Sequence, residues 1–431
     1  MTGRTILNAR FLLVCLLLPV VAGAQSLSLS PYSTYGLGDP EPSSLAPNAA
    51  MGGVQTAFIS ASQLNPGNPA SYAAINQTTF DVGGKGTRLG VTSGGSTATT
   101  SFAYLKNISF AVPVSKKWKS SIGLLPYTRL GYNLNATETT DGFGSVDYTY
   151  NGSGSINKVY FGNSLTLKRD SLNVLAVGAH VNFLFGQLEK TRVVSPSDVL
   201  NAFNIQNINT VNITGFDADF GAFYLRKLGK SRVIVAATYG LGSNVNASLS
   251  EYTFSLSGGT TQFVEDSIEV IEDVEQKLKM PSSFGVGLTY EYGTRWTLSA
   301  DYRVTNWNEL NLDNTTLVAA DQVAAGVQYV PNAKEITNLL KIMRYRAGFR
   351  FANTRLQAST GDQISEYGIT FGVGVPLLKS ASRTNFNVAM EIGQRGDDAT
   401  GQIREQFTSL SVGITYTPHR FDPWFLKRRI D

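Results

Sequence analysis

Apolar and polar residues alternate with a period of two along most of the chain. In WTLSADYRV, Trp296, Leu298, Ala300, Tyr302 and Val304 share one face, and Thr297, Ser299, Asp301 and Arg303 share the other. In NFNVAMEIGQR, Phe386, Val388, Met390 and Ile392 alternate with Asn387, Ala389, Glu391 and Gly393. MRYRAGFRF sets Met343, Tyr345, Ala347, Phe349 and Phe351 against Arg344, Arg346, Gly348 and Arg350. Successive side chains of a strand point to opposite faces, so this period predicts strands. No amphipathic stretch of helical period has any length. The strand segments lie near 78–92, 100–114, 117–137, 143–168, 171–192, 210–228, 231–258, 260–292, 294–308, 317–330, 341–354, 363–378, 382–396 and 405–418.

One face carries Arg, Asp, Glu and Asn in strand after strand. Such groups cannot all be buried in the core of a soluble sandwich. A sandwich with one solvated face would alternate in the same way. Many long strands, an even count of about fourteen and no second chemical domain favour a closed barrel with apolar residues facing lipid. The expectation is an all-β transmembrane antiparallel barrel over 78–418. Its connections alternate in length. VSKKWK, KRDS, RKLGKSR, EYGTR and KSASRT are short, as periplasmic turns are. NATETTDGFGSVDYTYNGSGS, KTRVVSPSDVLNAFNIQNINT and the region of TTQFVEDSIEVIEDVEQKLK read as long outer loops. The outer halves of 143–168 and 260–292 likewise look more like loop than strand. PNAKEITNLLK is the long member of the short set and has room for a helical turn. Trp118, Tyr127, Tyr132, Tyr239, Tyr290, Tyr292, Trp296 and Trp307 gather near strand ends, as interfacial girdles would. Ordinary β propensity of aromatics gives a similar pattern.

The start of the chain places the barrel. Arg4 and Arg10 flank a lead into FLLVCLLLPVVAGA, which is too short to span a bilayer. Residues 1–24 read as a secretory signal peptide cleaved after Ala24, and with the barrel pattern this places the protein in a bacterial outer membrane. The only cysteine, Cys15, falls within it, so the mature chain has no disulfide or thiolate site. Lys+Arg number 36 against 32 Asp+Glu; without Arg4 and Arg10 the balance is 34 to 32, which argues against a nucleic-acid partner. His180 and His419 are the only histidines. No metal site, cofactor or catalytic set emerges, and the reading is not an enzyme.

Between leader and first strand, residues 25–77 are rich in Gly and Pro. They end in LNPGNPASYA, where two prolines and two asparagines exclude helix interior and central strand alike. Asn68-Pro69-Ala70, just ahead of the first strand, and ISFAVPVSKKWKSSIGLLPYTRLGYNL resemble the FadL (FadL/TodX) family of outer-membrane transporters for hydrophobic compounds. SPYSTYGLGD and WFLKRRID further resemble Bacteroidetes-type members, a group that includes barrels serving protein secretion. The resemblance implies a 14-stranded barrel whose residues 25–77 form a lumenal hatch. Asn65, Pro66, Asn68, Pro69 and Ala70 would then be a preformed peg, with proline fixing φ and asparagine capping turns. The alternative is a plain turn joining a disordered arm to strand one.

Pro126 interrupts the third strand, where proline is confined to edges and bulges. The FadL-like reading is a kink opening a lateral gap in the wall; a bulge near the rim is the other. Asp217, Asp219, Asp301, Arg303, Arg344, Arg346, Arg350, Glu391, Arg395 and His180 face inward, either as a substrate path, as a latch on the hatch, or as ion pairs that solvate the lumen. Arg344, Arg346 and Arg350 share a face and repel, so they call for acidic neighbours, a hatch carboxylate such as Asp39 or Glu41, or an anionic ligand.

The short turns are basic, through Lys116, Lys117, Lys119, Lys168, Arg169, Arg226, Lys227, Lys230, Arg232, Lys379 and Arg383. The tail 419–431 adds Phe421, Trp424, Phe425, Lys427, Arg428 and Arg429 and is placed in the periplasm. The partners expected are outer-membrane lipid, a hydrophobic or detergent-like small molecule, and a periplasmic or outer-membrane protein met by the basic turns and tail. Two functions follow. One is passive uptake of small hydrophobic compounds, of fatty-acid or aromatic-hydrocarbon type. The other is a non-transporting accessory barrel of a secretion or assembly machine.

Overall fold

The computed structural model describes residues 30–140, 144–196, 202–257, 263–312, 316–335, 338–358, 361–376 and 384–417. The leader 1–24, the tail 419–431, Lys379 and Arg383 lie outside these residues. Fourteen antiparallel strands close into one barrel. They are β1 (Thr79–Ser93), β2 (Ser96–Val112), β3 (Trp118–Thr140), β4 (Gly144–Arg169), β5 (Asn173–Pro196), β6 (Asn204–Leu228), β7 (Ser231–Gly240 and Asn244–Ser257), β8 (Phe263–Lys279 and Ser283–Tyr292), β9 (Trp296–Thr305), β10 (Ala320–Tyr329), β11 (Arg344–Gln357), β12 (Gln363–Pro376), β13 (Asn385–Arg395) and β14 (Arg404–Tyr416). Each pairs with its successor. β14 returns to β1 in unbroken register from Arg404↔Thr92 to Tyr416↔Phe80. Closure supplies partners for backbone groups that lipid could not satisfy.

The period-two pattern sorts the two faces as expected. On β8, Phe284, Val286, Leu288, Tyr290 and Tyr292 are exposed on the outside, while Gly285, Gly287, Thr289 and Glu291 point inward. The same apolar belt continues through Trp296, Leu298 and Tyr302, through Tyr367, Ile369 and Phe371, and through Leu410, Ile414 and Tyr416. An apolar belt of this kind around a closed barrel is a lipid-facing surface. Five of the expected girdle aromatics stand in it: Trp118, Tyr239, Tyr290, Tyr292 and Trp296. Tyr132 and Trp307 do not. They are buried with Leu130, Leu184, Ile213 and Leu310 in an apolar layer against the outer half of β3–β8, and Tyr127 packs on that layer.

Where they are described, the three segments read from sequence as long outer loops are mostly strand instead. β3, β4, β5 and β6 run 23, 26, 24 and 25 residues, whereas about 9–11 cross a bilayer. Beyond the belt, Asn135 pairs Thr149 and Thr191 pairs Ile208. With polar residues on both faces the alternation fades, yet the cross-strand hydrogen bonds persist. Within the long periplasmic connection a single helical turn, Leu339–Ile342, is capped by Asn338, whose side chain accepts from the Leu340 N–H at 3.1 Å.

Residues 30–78 fold inside the barrel as short turns, a four-residue helix at Ala46–Ala49 and a 3-10 helix at Pro69–Ala74. They form the hatch.

Candidate functional site

The asparagines of LNPGNPASYA build the peg. Asn68 accepts the Ala70 N–H at 2.9 Å, and its amide donates to the Thr56 carbonyl at 2.7 Å. Asn65 donates to the carbonyls of Gln55 and Phe58 at 2.5 and 2.8 Å. Ser71 Oγ donates to the Asn65 carbonyl at 2.9 Å. Pro66 and Pro69 present no N–H in a segment where spare donors would be buried. Ala70 is fully buried. Tyr72, just beyond, meets His180 Nε2 at 3.0 Å, and Arg169 donates to the Ala73 carbonyl at 2.9 Å.

The wall is cut to fit this segment. A Cβ on Gly178 would lie 2.5 Å from Ala70 N, and one on Gly221 would lie 2.1 Å from Asn68 Oδ1. Across the lumen, a Cβ on Gly348 would lie 2.3 Å from Gly52 N. Gly178 and Gly348 let hatch backbone touch sheet backbone, and Gly221 makes room for the Asn68 side chain. Carboxylate and hydroxyl groups then pin it. Asp301 accepts the N–H groups of Gln55 and Thr56 at 2.5 and 2.6 Å. Thr370 accepts the Gly52 N–H at 2.8 Å.

Two acidic side chains of the hatch grip the outer part of the wall. Asp39 meets Arg395 at 3.1 Å through both oxygens and lies 3.9 Å from Arg355. Glu41 accepts from Tyr104 at 2.5 Å and from Lys106 at 2.8 Å. Burial opposes ionisation of Glu41. The Lys106 and Lys85 ammonium groups, with hydrogen bonds from Lys106 and Tyr104, outweigh burial and hold its carboxyl down at about 2.

Arg344, Arg346 and Arg350, which share a face of β11, find different partners. Arg350 pairs with Glu366 and Glu391. Among the described residues, neither Arg344 nor Arg346 pairs with a carboxylate. Arg344 donates to Asn385, and Arg346 donates to Gln328 and Asn387 at 2.9 and 3.0 Å. The hatch carboxylates therefore bind Arg395, Arg355 and Lys106, not Arg344, Arg346 or Arg350. Arg303 lines a chamber of about 420 Å³ beside the hatch, with Lys106, Asp219, Arg355, Glu391 and Glu405. Tyr104, Lys106, Arg129 and Glu405 escaped the sequence reading. Period two puts Tyr104 and Lys106 on the same face of β2, so the inward placement of both was available there.

Pro126 marks a local change in the wall. The β3–β4 register shifts between Pro126 and Thr128. On the other side of β3, pairing with β2 covers only Ile108↔Leu124 to Val112↔Ser120. Above it the hatch takes the edge of β3: Asp39 and Pro40 pair with Arg129 and Thr128, and Glu41 N–H donates to the Tyr127 carbonyl at 2.9 Å. The Arg129 guanidinium lies 3.7 Å from the centre of the Tyr104 ring, bridging the seam.

Of the basic turn residues, Arg232 pairs with Glu291 and Lys168 lies 3.6 Å from Asp170. Lys119 donates to the carbonyls of its own turn. Lys116, Lys117, Arg226, Lys227 and Lys230 are exposed.

A hatch-filled barrel of fourteen strands is the FadL-like fold. Solved structures share it at low identity. The toluene transporter TbuX of Ralstonia pickettii has 13% identity and TM-score 0.59, over 88% of this chain and 100% of that one. The P. putida toluene transporter TodX has 17% identity and TM-score 0.58, over 88% and 99%. A Pseudomonas aeruginosa FadL homologue has 13% and 0.58, over 89% and 100%. A comparison with curated proteins finds no match. The BamG family model matches residues 6–431, so the chain belongs to the BamG family.

Proposed function

We propose that this chain is an outer-membrane barrel, exported by a signal peptide cleaved after Ala24, whose lumen stays sealed. It serves as a fixed accessory of a machine that assembles or secretes outer-membrane proteins. One observation carries the reading. Ion pairs cross the space beside the hatch among its apolar lining, tying hatch to wall through Asp39–Arg395 and Glu41–Lys106 and strand to strand through Arg350 with Glu366 and Glu391, so that a solute could pass only by parting them. Desolvating an apolar solute among ion pairs gains little, while parting those pairs from water and from each other costs several kcal/mol. The exposed basic turns offer an acidic periplasmic partner a landing surface.

A second reading has its own support. The short β2–β3 seam above Leu124 and the bulge at Pro126 would suit lateral exit of a small hydrophobic compound into lipid, and the neighbours TbuX and TodX are toluene transporters. On this reading the hatch moves during passage. A deletion strain separates the two. The accessory reading predicts unchanged uptake of labelled toluene and fatty acid, with lower outer-membrane levels of other barrel proteins. Reduced uptake with normal levels of those proteins supports transport instead.

A further inference from the structure

The outer segment of β8, Phe263–Lys279, has one neighbour. It pairs with the outer segment of β7 from Phe263↔Ser257 to Lys279↔Asn244. β9 is only ten residues long and pairs lower down, with Ser283–Tyr292. Among the described residues no strand covers the other edge of this segment. At about 3.3 Å per residue it extends roughly 50 Å past the belt. Every residue from Phe263 to Lys277 is exposed.

This edge is unusual in what it exposes. Phe263, Val264, Ile268, Val270, Ile271 and Val274 are 39 to 63% exposed. Lipid does not cover them, because the apolar belt ends near Leu241 on β7 and Phe284 on β8. Water therefore faces an apolar, half-paired strand, which is the template that extended peptides recognise. Between the apolar residues stand Glu265, Asp266, Glu269, Glu272, Asp273 and Glu275, and the two lysines of the segment lie at its base, at 277 and 279. The facing part of β7 offers Glu251 and no cation.

Charge selects the occupant. A second copy laid along this edge would set carboxylates against carboxylates, which is unfavourable across paired strands. Bulges between Val264 and Asp266, Ser267 and Glu269, and Ile271 and Val274 bend the edge away from flat, indiscriminate stacking. We infer that the outer edge of β8 is a strand-addition site for an extended segment of another protein at the cell surface, one whose apolar side chains alternate with lysine or arginine. Backbone hydrogen bonds would supply much of the affinity, and the carboxylates would supply the choice of partner. The inference is independent of how the lumen is used.

The purified full-length protein in detergent, probed with a short peptide of alternating valine and lysine and with its valine–glutamate counterpart, tests this by hydrogen exchange. At a peptide concentration about ten times its Kd, exchange within 263–279 should slow about tenfold with the lysine peptide, and little with the glutamate peptide. The variant Glu265→Lys/Glu269→Lys/Glu272→Lys should reverse the preference. A photo-crosslinking residue replacing Ile268 in cells should capture a segment that alternates apolar with Lys or Arg. No slowing, equal slowing by both peptides, or a dimer that protects the same amides without peptide would overturn the inference. So would crosslinks confined to this chain.

Discussion

Asp39 and Arg395 meet through two contacts of 3.1 Å across 356 residues of sequence, joining the hatch to the outer end of β13. The geometry is bidentate, and Arg395 is also held by Glu405. The guanidinium is thus positioned before the hatch arrives, which lowers the entropy lost on docking.

Asp39→Ala should cost about 1–3 kcal/mol, the usual penalty for leaving a buried donor short of an acceptor, because Glu405 still neutralises Arg395. The loss belongs to hatch docking, not to the barrel. Hydrogen exchange within 30–78 should rise while the heat-resistant migration of the barrel on gels stays unchanged. A fall in barrel stability with the hatch still protected would contradict this assignment.

Gly178→Val should displace the peg, because its side chain would occupy the position of Pro69 and Ala70 backbone atoms. Overpacking of this kind costs about 1–3 kcal/mol where neighbours can shift, and here the neighbour is backbone. Gly90→Ser, where a Cβ meets only the Gln406 carbonyl oxygen at 3.8 Å, is the matched control. Protease cleavage inside the hatch should appear in the first variant alone.

The pH response follows from Glu41. Its carboxyl sits at about 2, below its usual 4.5. A depressed carboxyl contributes its stabilisation in full above the unfolded value and loses it as pH falls through the folded one. The part of hatch docking that Glu41 supplies should therefore be constant from pH 7 to about 4.5 and be lost toward about 2. Pepsin cleavage of the hatch in that window should rise as pH falls. Glu41→Gln should flatten this dependence.

The barrel was legible in the sequence because lipid on one side and charge on the other impose period two, as in Trp296–Val304. The broken strands β7 and β8 were also readable as single segments. The outer parts of β3–β6 were not, since Asn135–Thr140 and Thr149–Asn151 are largely polar on both faces and their pairing leaves no hydrophobic trace. The peg was visible as proline and asparagine chemistry, and its asparagines do hold its turns. Its receptor was not visible. Gly178, Gly221 and Gly348 lie on three strands far apart in sequence, and only the folded barrel shows that they face one segment. Asp39 and Glu41 were marked as carboxylates for the wall, but their partners depend on strand register, which alternation alone does not fix.

Locking the hatch tests the central claim most directly. A Cβ on Gly413 would lie 3.2 Å from Ala46 Cβ, near the span a disulfide needs. Cys15 is the chain's only cysteine and lies in the leader, so Ala46→Cys/Gly413→Cys would form one bond between hatch and β14. The measurement is rescue of the deletion strain by the oxidised, locked protein, read as outer-membrane levels of other barrel proteins together with uptake of labelled toluene. A sealed accessory barrel predicts rescue equal to that of the unmodified protein and no change in uptake on reduction. Rescue that fails while the lock is closed, and returns with uptake when reductant opens it, would show that the hatch must move and would contradict the account.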